Sequence, residues 1–164
     1  MPNIQLKDGT NFAFEGGTAM QLAEAISAGL ARSALAAKID GKVVDLSTPI
    51  TKDCAVELLT FDSEEGKKVY NHTASHVLAQ AVKRLYPEAK LAIGPAIENG
   101  FYYDIDSEIS FSPEILSKLE DEMKKIIKEG HELKRFTLPR QEAIQLMKEK
   151  NEPYKVELIE DLPE

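Results

Sequence analysis

The sequence predicts an α+β protein built as two small domains in tandem, on three observations. Aromatic residues make up only 7% of the chain and tryptophan is absent, so two modest cores suit 164 residues better than one large one. The first part of the chain alternates apolar and polar residues between Asp-Gly turns, whereas the remainder mixes longer helical patterns with a hairpin signal. Between them Asp62 to Lys68 is short, polar and charged, which sets the domains at residues 1–62 and 63–164.

In the first domain Ile4 and Leu6 alternate with polar neighbours, Asp8-Gly9 supplies a turn, and Phe12 and Phe14 alternate again. Gly16-Gly17 ends that strand. Thr18 then caps a helix carrying Met20, Leu22, Ala23 and Ile26, with Gly29 as its stop. Ala36 to Ile39, a turn at Asp40-Gly41, Val43-Val44 and a last strand through Val56, Leu58, Leu59 and Phe61 complete the unit. Strand–turn–strand–helix–strand–turn–strand–strand is the order of a β-grasp, or ubiquitin-like, fold.

In the second domain a helix is expected from about Lys67 to Tyr86, stopped by Pro87. Leu91 to Ile97 and Phe101 to Ile105 flank Asn99-Gly100, a strong hairpin signal. Ser112-Pro113 starts a helix that runs to Gly130, with Ser as cap and Pro at the first helical position. Leu133 to Leu138 reads as extended, Pro139 to Lys150 as helical and Tyr154 to Ile159 as extended.

Charged residues at 29% and hydrophobic ones at 43% describe a globular chain rather than a disordered one. The net charge of −8 argues against a general nucleic-acid binder. Up to Asp62 there are five Lys/Arg against eight Asp/Glu, leaving fifteen of the 20 cations and twenty of the 28 anions beyond it. Both halves are acidic. Cys54 is the only cysteine, so no internal disulfide forms, a reducing compartment fits, and the thiol reads as inert. No signal peptide precedes Ile4 and no apolar run is long enough for a membrane span, which points to the cytoplasm.

The candidate chemistry lies in His72-Thr73-Ala74-Ser75-His76, whose imidazoles are neighbours on one helix face. At about 100° per residue, Tyr70, Ala74, Val77, Leu78, Ala81, Val82 and Leu85 form an apolar stripe, and the two histidines point away from it. A pair of solvated histidines and a metal or acid/base pair both fit this spacing. One helix supplies fewer ligands than a stable zinc site needs, so no tightly bound zinc is expected here. Lys67-Lys68 and Lys83-Arg84 fit either a phosphate contact or a solvated helix face. No phosphate-cradling glycine loop surrounds Gly66-Lys67.

The run His72 to Ala81, followed by Ala92-Ile93-Gly94-Pro95-Ala96-Ile97-Glu98-Asn99-Gly100-Phe101-Tyr102-Tyr103-Asp104, resembles the editing-domain signature of bacterial threonyl-tRNA synthetases. The β-grasp unit before it resembles the TGS domain of that family, and Glu152-Pro153-Tyr154-Lys155-Val156 resembles its next editing strand. The resemblance implies a ligase that joins threonine to its tRNA using ATP and that hydrolyses mischarged seryl-tRNA. A missing methyl gives a binding pocket only ~1–3 kcal/mol of discrimination, which is why serine needs a second, hydrolytic site. By resemblance His72 and His76 orient or activate water and contact the terminal adenosine, Lys155 holds the substrate or its developing negative charge, and Tyr103 lines the pocket. From the residues alone, Tyr103 shares a strand face with Phe101 and Ile105 and fits core packing equally, and Lys155 fits a surface lysine.

The family's editing site is completed by a Cys-x-x-x-His, and nothing of that pattern follows Lys155. The expectation is therefore a piece of the family's chain with an incomplete editing site and weak deacylation. Its implied partner is tRNA, the whole protein a homodimer off the membrane. Its ATP, magnesium and zinc belong to an aminoacylation core rather than to this piece. Two other classes remain open: a non-catalytic tRNA-binding or regulatory module, and a metal-dependent hydrolase of the free-standing deacylase kind.

Overall fold

A computed structural model describes residues 1–163. The chain divides into two units, Met1–Asn71 and the residues from His72 onward. The boundary read from the sequence, 62/63, falls at the foot of a helix whose first turns belong to the first unit.

The first unit is a β-grasp. β1 (Asn3–Leu6), β2 (Asn11–Ala13), β4 (Ala36–Ile39), β5 (Lys42–Val44) and β7 (Cys54–Leu59) form one sheet in the order β2-β1-β7-β4-β5. The central pair β1–β7 is parallel and the others are antiparallel. β3 (Gly17–Thr18) and β6 (Pro49–Ile50) form a separate short pair. The Asp40-Gly41 turn is as expected: φ is 48° and 82°, the left-handed pair that a two-residue hairpin joining β4 to β5 requires.

α1 (Ala19–Ile26) begins with a reciprocal cap: the Thr18 hydroxyl accepts from Gln21 N at 3.3 Å, and Gln21 Oε1 accepts from Thr18 N at 2.8 Å. Its buried face, Ala19 and Leu22, closes over Ile4, Phe14, Ala37, Ile50 and Val56. The expected stop at Gly29 is not where α1 ends. Ser27 is extended (φ −166°), ends α1 and caps α2 (Ala28–Ser33), so Gly29 lies inside the second helix.

α3 (Glu64–Leu85) starts earlier than expected because Ser63 caps it: its hydroxyl accepts from Gly66 N at 3.1 Å. Gly66 is required by proximity, since a Cβ there would lie 1.8 Å from the Thr60 carbonyl oxygen. The polar stretch Asp62 to Lys68 is thus a helix start. Glu65 pairs with Lys38 of β4, which holds the carboxyl below and the ammonium above their ordinary values.

In the second unit β8 (Lys90–Leu91) pairs antiparallel with β11 (Ile105–Asp106), and β9 (Ala96–Ile97) with β10 (Gly100–Phe101). Backbone bonds between Ala92, Ile93 and Asp104 continue the first pair, so residues 90–106 make one hairpin. Its turn is Glu98-Asn99, one residue before the expected Asn99-Gly100, because Gly100 pairs with Ile97 as a strand residue. α4 (Pro113–Glu129) is capped by Ser112 and ends at Gly130, as expected. The core joins Ala79, Ala81 and Val82 of α3 to Ala89, Leu91, Leu119 and Ile126.

Two segments differ from their expected form. Residues 133–138 carry no regular strand. Residues 154–159 lie in α6 (Pro153–Glu160), which packs on α5 (Arg140–Glu149). Their apolar alternation suits a strand, but Pro153 at the first helical position presets the helix, and Val156 N bonds back to Glu152 O.

Arg84 and Glu129 join the ends of α3 and α4 through paired bonds of 2.7 and 2.6 Å, and Glu122 accepts from the same guanidinium at 3.3 Å. Arg84, with His131 behind it, brings the Glu129 carboxyl down to about 2 from 4.5. A depressed carboxyl contributes stability that is complete above 4.5 and lost as pH falls through about 2. Glu129→Gln is expected to flatten the acid-side loss of helical circular dichroism in that window, with a smaller difference at high salt because the pair is partly exposed.

Candidate functional site

The four residues singled out by the sequence all fall in the second unit and come from three elements: α3, the 90–106 hairpin and α6. His72 and His76 are one helical turn apart, with ring centroids separated by 4.5 Å and planes tilted by 51°. Both residues reach solvent, His76 with its ring partly covered by its neighbours. They do not oppose the buried face, however; they flank it. The buried row runs through Ser75, Ala79 and Val82, while Tyr70 and Leu85 of the expected stripe are 51% and 37% exposed. A serine at the start of that row is what the apolar reading passed over. Ser75 is fully buried because its hydroxyl donates to the His72 carbonyl at 2.7 Å and leaves no unmet polar atom.

Lys155 is not a free surface lysine. It is half-buried, and its ammonium donates to the Ala92 carbonyl at 2.9 Å and makes a long bond of 3.5 Å to the Tyr103 hydroxyl. Its Nζ lies 5.8 Å from the Tyr103 ring centroid. The Tyr103 ring packs against the core, as its core reading expects, and its hydroxyl meets Lys155. Gly94 makes room for that ring, since a Cβ there would lie 2.2 Å from Tyr103 Cδ2.

Partial burial lowers the His76 pKa below 6.5, and the positive charges of His72 and Lys155 push it further the same way. His76 is therefore a neutral imidazole at neutral pH, with an ammonium as electrostatic neighbour. Among the described residues no group of three or more His, Cys, Asp or Glu is placed to hold a metal ion.

Sequence reasoning missed Glu152, which is 7% exposed. One carboxylate oxygen pairs with Lys83 Nζ at 2.9 Å and the other accepts from Leu91 N at 3.1 Å. Only its place before Pro153 marks it in the sequence. Lys83 and Arg84, weighed above as phosphate contacts, are both engaged internally: Lys83 with Glu152 and the carbonyls of Pro87 and Ala89, Arg84 with Glu122 and Glu129.

Two outcomes follow from this geometry. In an NMR titration the His76 ring proton should show a midpoint below 6.5, moved upward by His72→Ala and by Lys155→Met as a nearby positive charge is removed. By linkage, the stability tied to this depressed value is complete above 6.5 and is lost as pH falls through the folded-state midpoint. Gly94→Ala should cost about 1–3 kcal/mol in urea unfolding, because the methyl displaces the Tyr103 ring from its seat.

Residues 2–60 match the TGS domain family. Over its full length the chain is 66% identical to the threonine–tRNA ligase of Acetivibrio thermocellus, and it spans 26% of that protein. It is 61% identical to that of Clostridium kluyveri and 62% identical to that of Clostridium botulinum, again across the whole chain and 26% of each relative. No helix among the described residues is long and apolar enough to cross a membrane. By its TGS domain and by similarity along its whole length, the chain resembles the threonine–tRNA ligases, and it spans 26% of the length of these relatives.

Proposed function

We propose that the second unit supplies one side of a hydrolytic editing site that removes serine from tRNA mischarged in place of threonine. The enclosing protein is a ligase that joins threonine to tRNA using ATP. The observation that supports this most is the convergence of a neutral imidazole, His76, with a partly buried ammonium, Lys155, beside His72 and Tyr103. A base and a fixed cation are the two things that hydrolysis of an aminoacyl ester needs from a protein.

The chemistry then divides among these residues. His76 accepts a proton from water as the water oxygen bonds to the seryl carbonyl carbon. Lys155 faces the carbonyl oxygen as it becomes anionic. Ala92 and Tyr103 do not exhaust the donors of an ammonium, so an N–H remains for that oxygen. The ester C–O bond breaks, the terminal ribose oxygen leaves and takes the proton back, and serine and uncharged tRNA are released. His72 holds the water or the ribose hydroxyl, and Tyr103 bounds the pocket.

On the same reading tRNA is the partner, the assembly is a cytoplasmic homodimer, and ATP, magnesium and zinc serve the aminoacylation core outside the quarter that this chain matches. The test places this chain's residues in the matching segment of a threonine–tRNA ligase and follows deacylation of purified seryl-tRNA. His76→Ala and Lys155→Ala should each slow it by about 10²-fold or more, with threonine charging retained. Deacylation at the parent rate in both variants would remove the basis of the proposal.

A further inference from the structure

We infer that Glu152 is the positioning residue of this site: its buried carboxylate fixes the start of α6 so that Lys155 meets Ala92 and Tyr103. Its bearing on chemistry rests on the editing reading above; the positioning itself does not.

Glu152 begins α6, yet its side chain caps none of the helix's own amides. It is spent instead on two other elements. One oxygen takes the ammonium of Lys83, near the end of α3, and the other takes the Leu91 amide of β8. Lys83 adds the Pro87 and Ala89 carbonyls at 2.9 Å each, which uses the donors of its ammonium. The joint is thus satisfied on both sides and ties α3, the 87–89 turn, β8 and α6 at one point.

Lys155 follows one turn later. Its amide and that of Val156 bond to the Glu152 carbonyl at 3.1 and 3.2 Å, so the side chain of Lys155 projects from the turn that Glu152 anchors. The two side chains grip consecutive residues of the hairpin arm. The carboxylate takes the amide of Leu91, and the ammonium takes the carbonyl of Ala92. These are two rungs of one ladder. α6 carries no buried residue of its own, so its seat against the hairpin rests on these two rungs and on the Tyr154 hydroxyl, which donates to Asp106 of β11 at 2.9 Å, beside its packing on α5. The charge that reaches His76 then depends on a carboxylate that does not touch the site.

The experiment reads the His76 titration by NMR in the full chain, with Lys155→Met as the reference. Glu152→Ala should raise the His76 midpoint by at least half of the Lys155→Met shift, with the dispersed amide spectrum retained. Glu152→Gln, which keeps an acceptor for Leu91 but loses the ion pair to Lys83, should give a smaller rise of the same sign. A purely structural role would lower stability and leave the midpoint where it is. A wild-type midpoint in both variants, or in Glu152→Gln alone where Glu152→Ala does not fold, overturns the inference, as does a Lys155→Met variant with no shift. Deacylation separates the two claims. If Lys155→Ala leaves seryl-tRNA hydrolysis unchanged, the editing reading fails and the titration still decides the positioning.

Discussion

The second unit depends on the burial of one charge, the Glu152 carboxylate. Taking a carboxylate out of water is unfavourable unless every lone pair it exposes is answered, and removing one partner of such a buried pair costs about 3–5 kcal/mol. Here the answer comes from Lys83 and from the Leu91 amide, two groups far from Glu152 in sequence. The surrounding core is small. Its strands are two residues long, and three of its seven buried members are alanines. A polar joint therefore does what a larger apolar core would otherwise do, and it demands a specific geometry in return. Apolar contacts tolerate small shifts; a carboxylate holding an amide and an ammonium does not.

The first unit is organised on the opposite principle, and this decides how much of each could be read from the sequence. Its core is apolar throughout, and its determinants are local: the left-handed Asp40-Gly41 turn, the Thr18–Gln21 cap, and strands whose alternate residues face one helix. Local rules suffice when each element's signal lies within the element. They fail at Gly29 only because a serine two residues earlier breaks the helix and starts the next. In the second unit the signals conflict. Alternation in Tyr154, Val156 and Leu158 suggests a strand, while Pro153 presets a helix, and the contact that settles the matter is Glu152 reaching back to β8. A sequence window does not contain that partner.

The site shows the same division. The spacing of His72 and His76 made them neighbours without further information, and they are. Their orientation differs from the expected one because the buried row begins at Ser75, whose polarity is cancelled by a bond to its own helix. Lys155 gave no signal by spacing, since its partners are a backbone carbonyl and a tyrosine hydroxyl, and neither follows a period. Gly94 is informative only once the Tyr103 ring is known to lie over it. Residues that act through a side chain of their own element were legible; those that act through another element's backbone were not.

Charge explains why these details matter. The chain carries −8 overall, so long-range attraction does not bring a polyanion to it. Two of the four cations on α3 are neutralised internally, Lys83 by Glu152 and Arg84 by Glu122 and Glu129. Lys155 differs from them, because its bonded partners are uncharged oxygens and its positive charge stays uncompensated. Partial burial, then His72, then that local charge lower the His76 pKa below its ordinary value, and on the editing reading proposed above the same charge is the counter-charge for an ester carbonyl. A cation neutralised by a carboxylate could do neither. The carboxylate of Glu152 is one residue from Pro153 and one helical turn from Lys155, yet it is turned toward Lys83 and Leu91. By directing that negative charge away from Lys155, the fold leaves the site positive within an acidic protein.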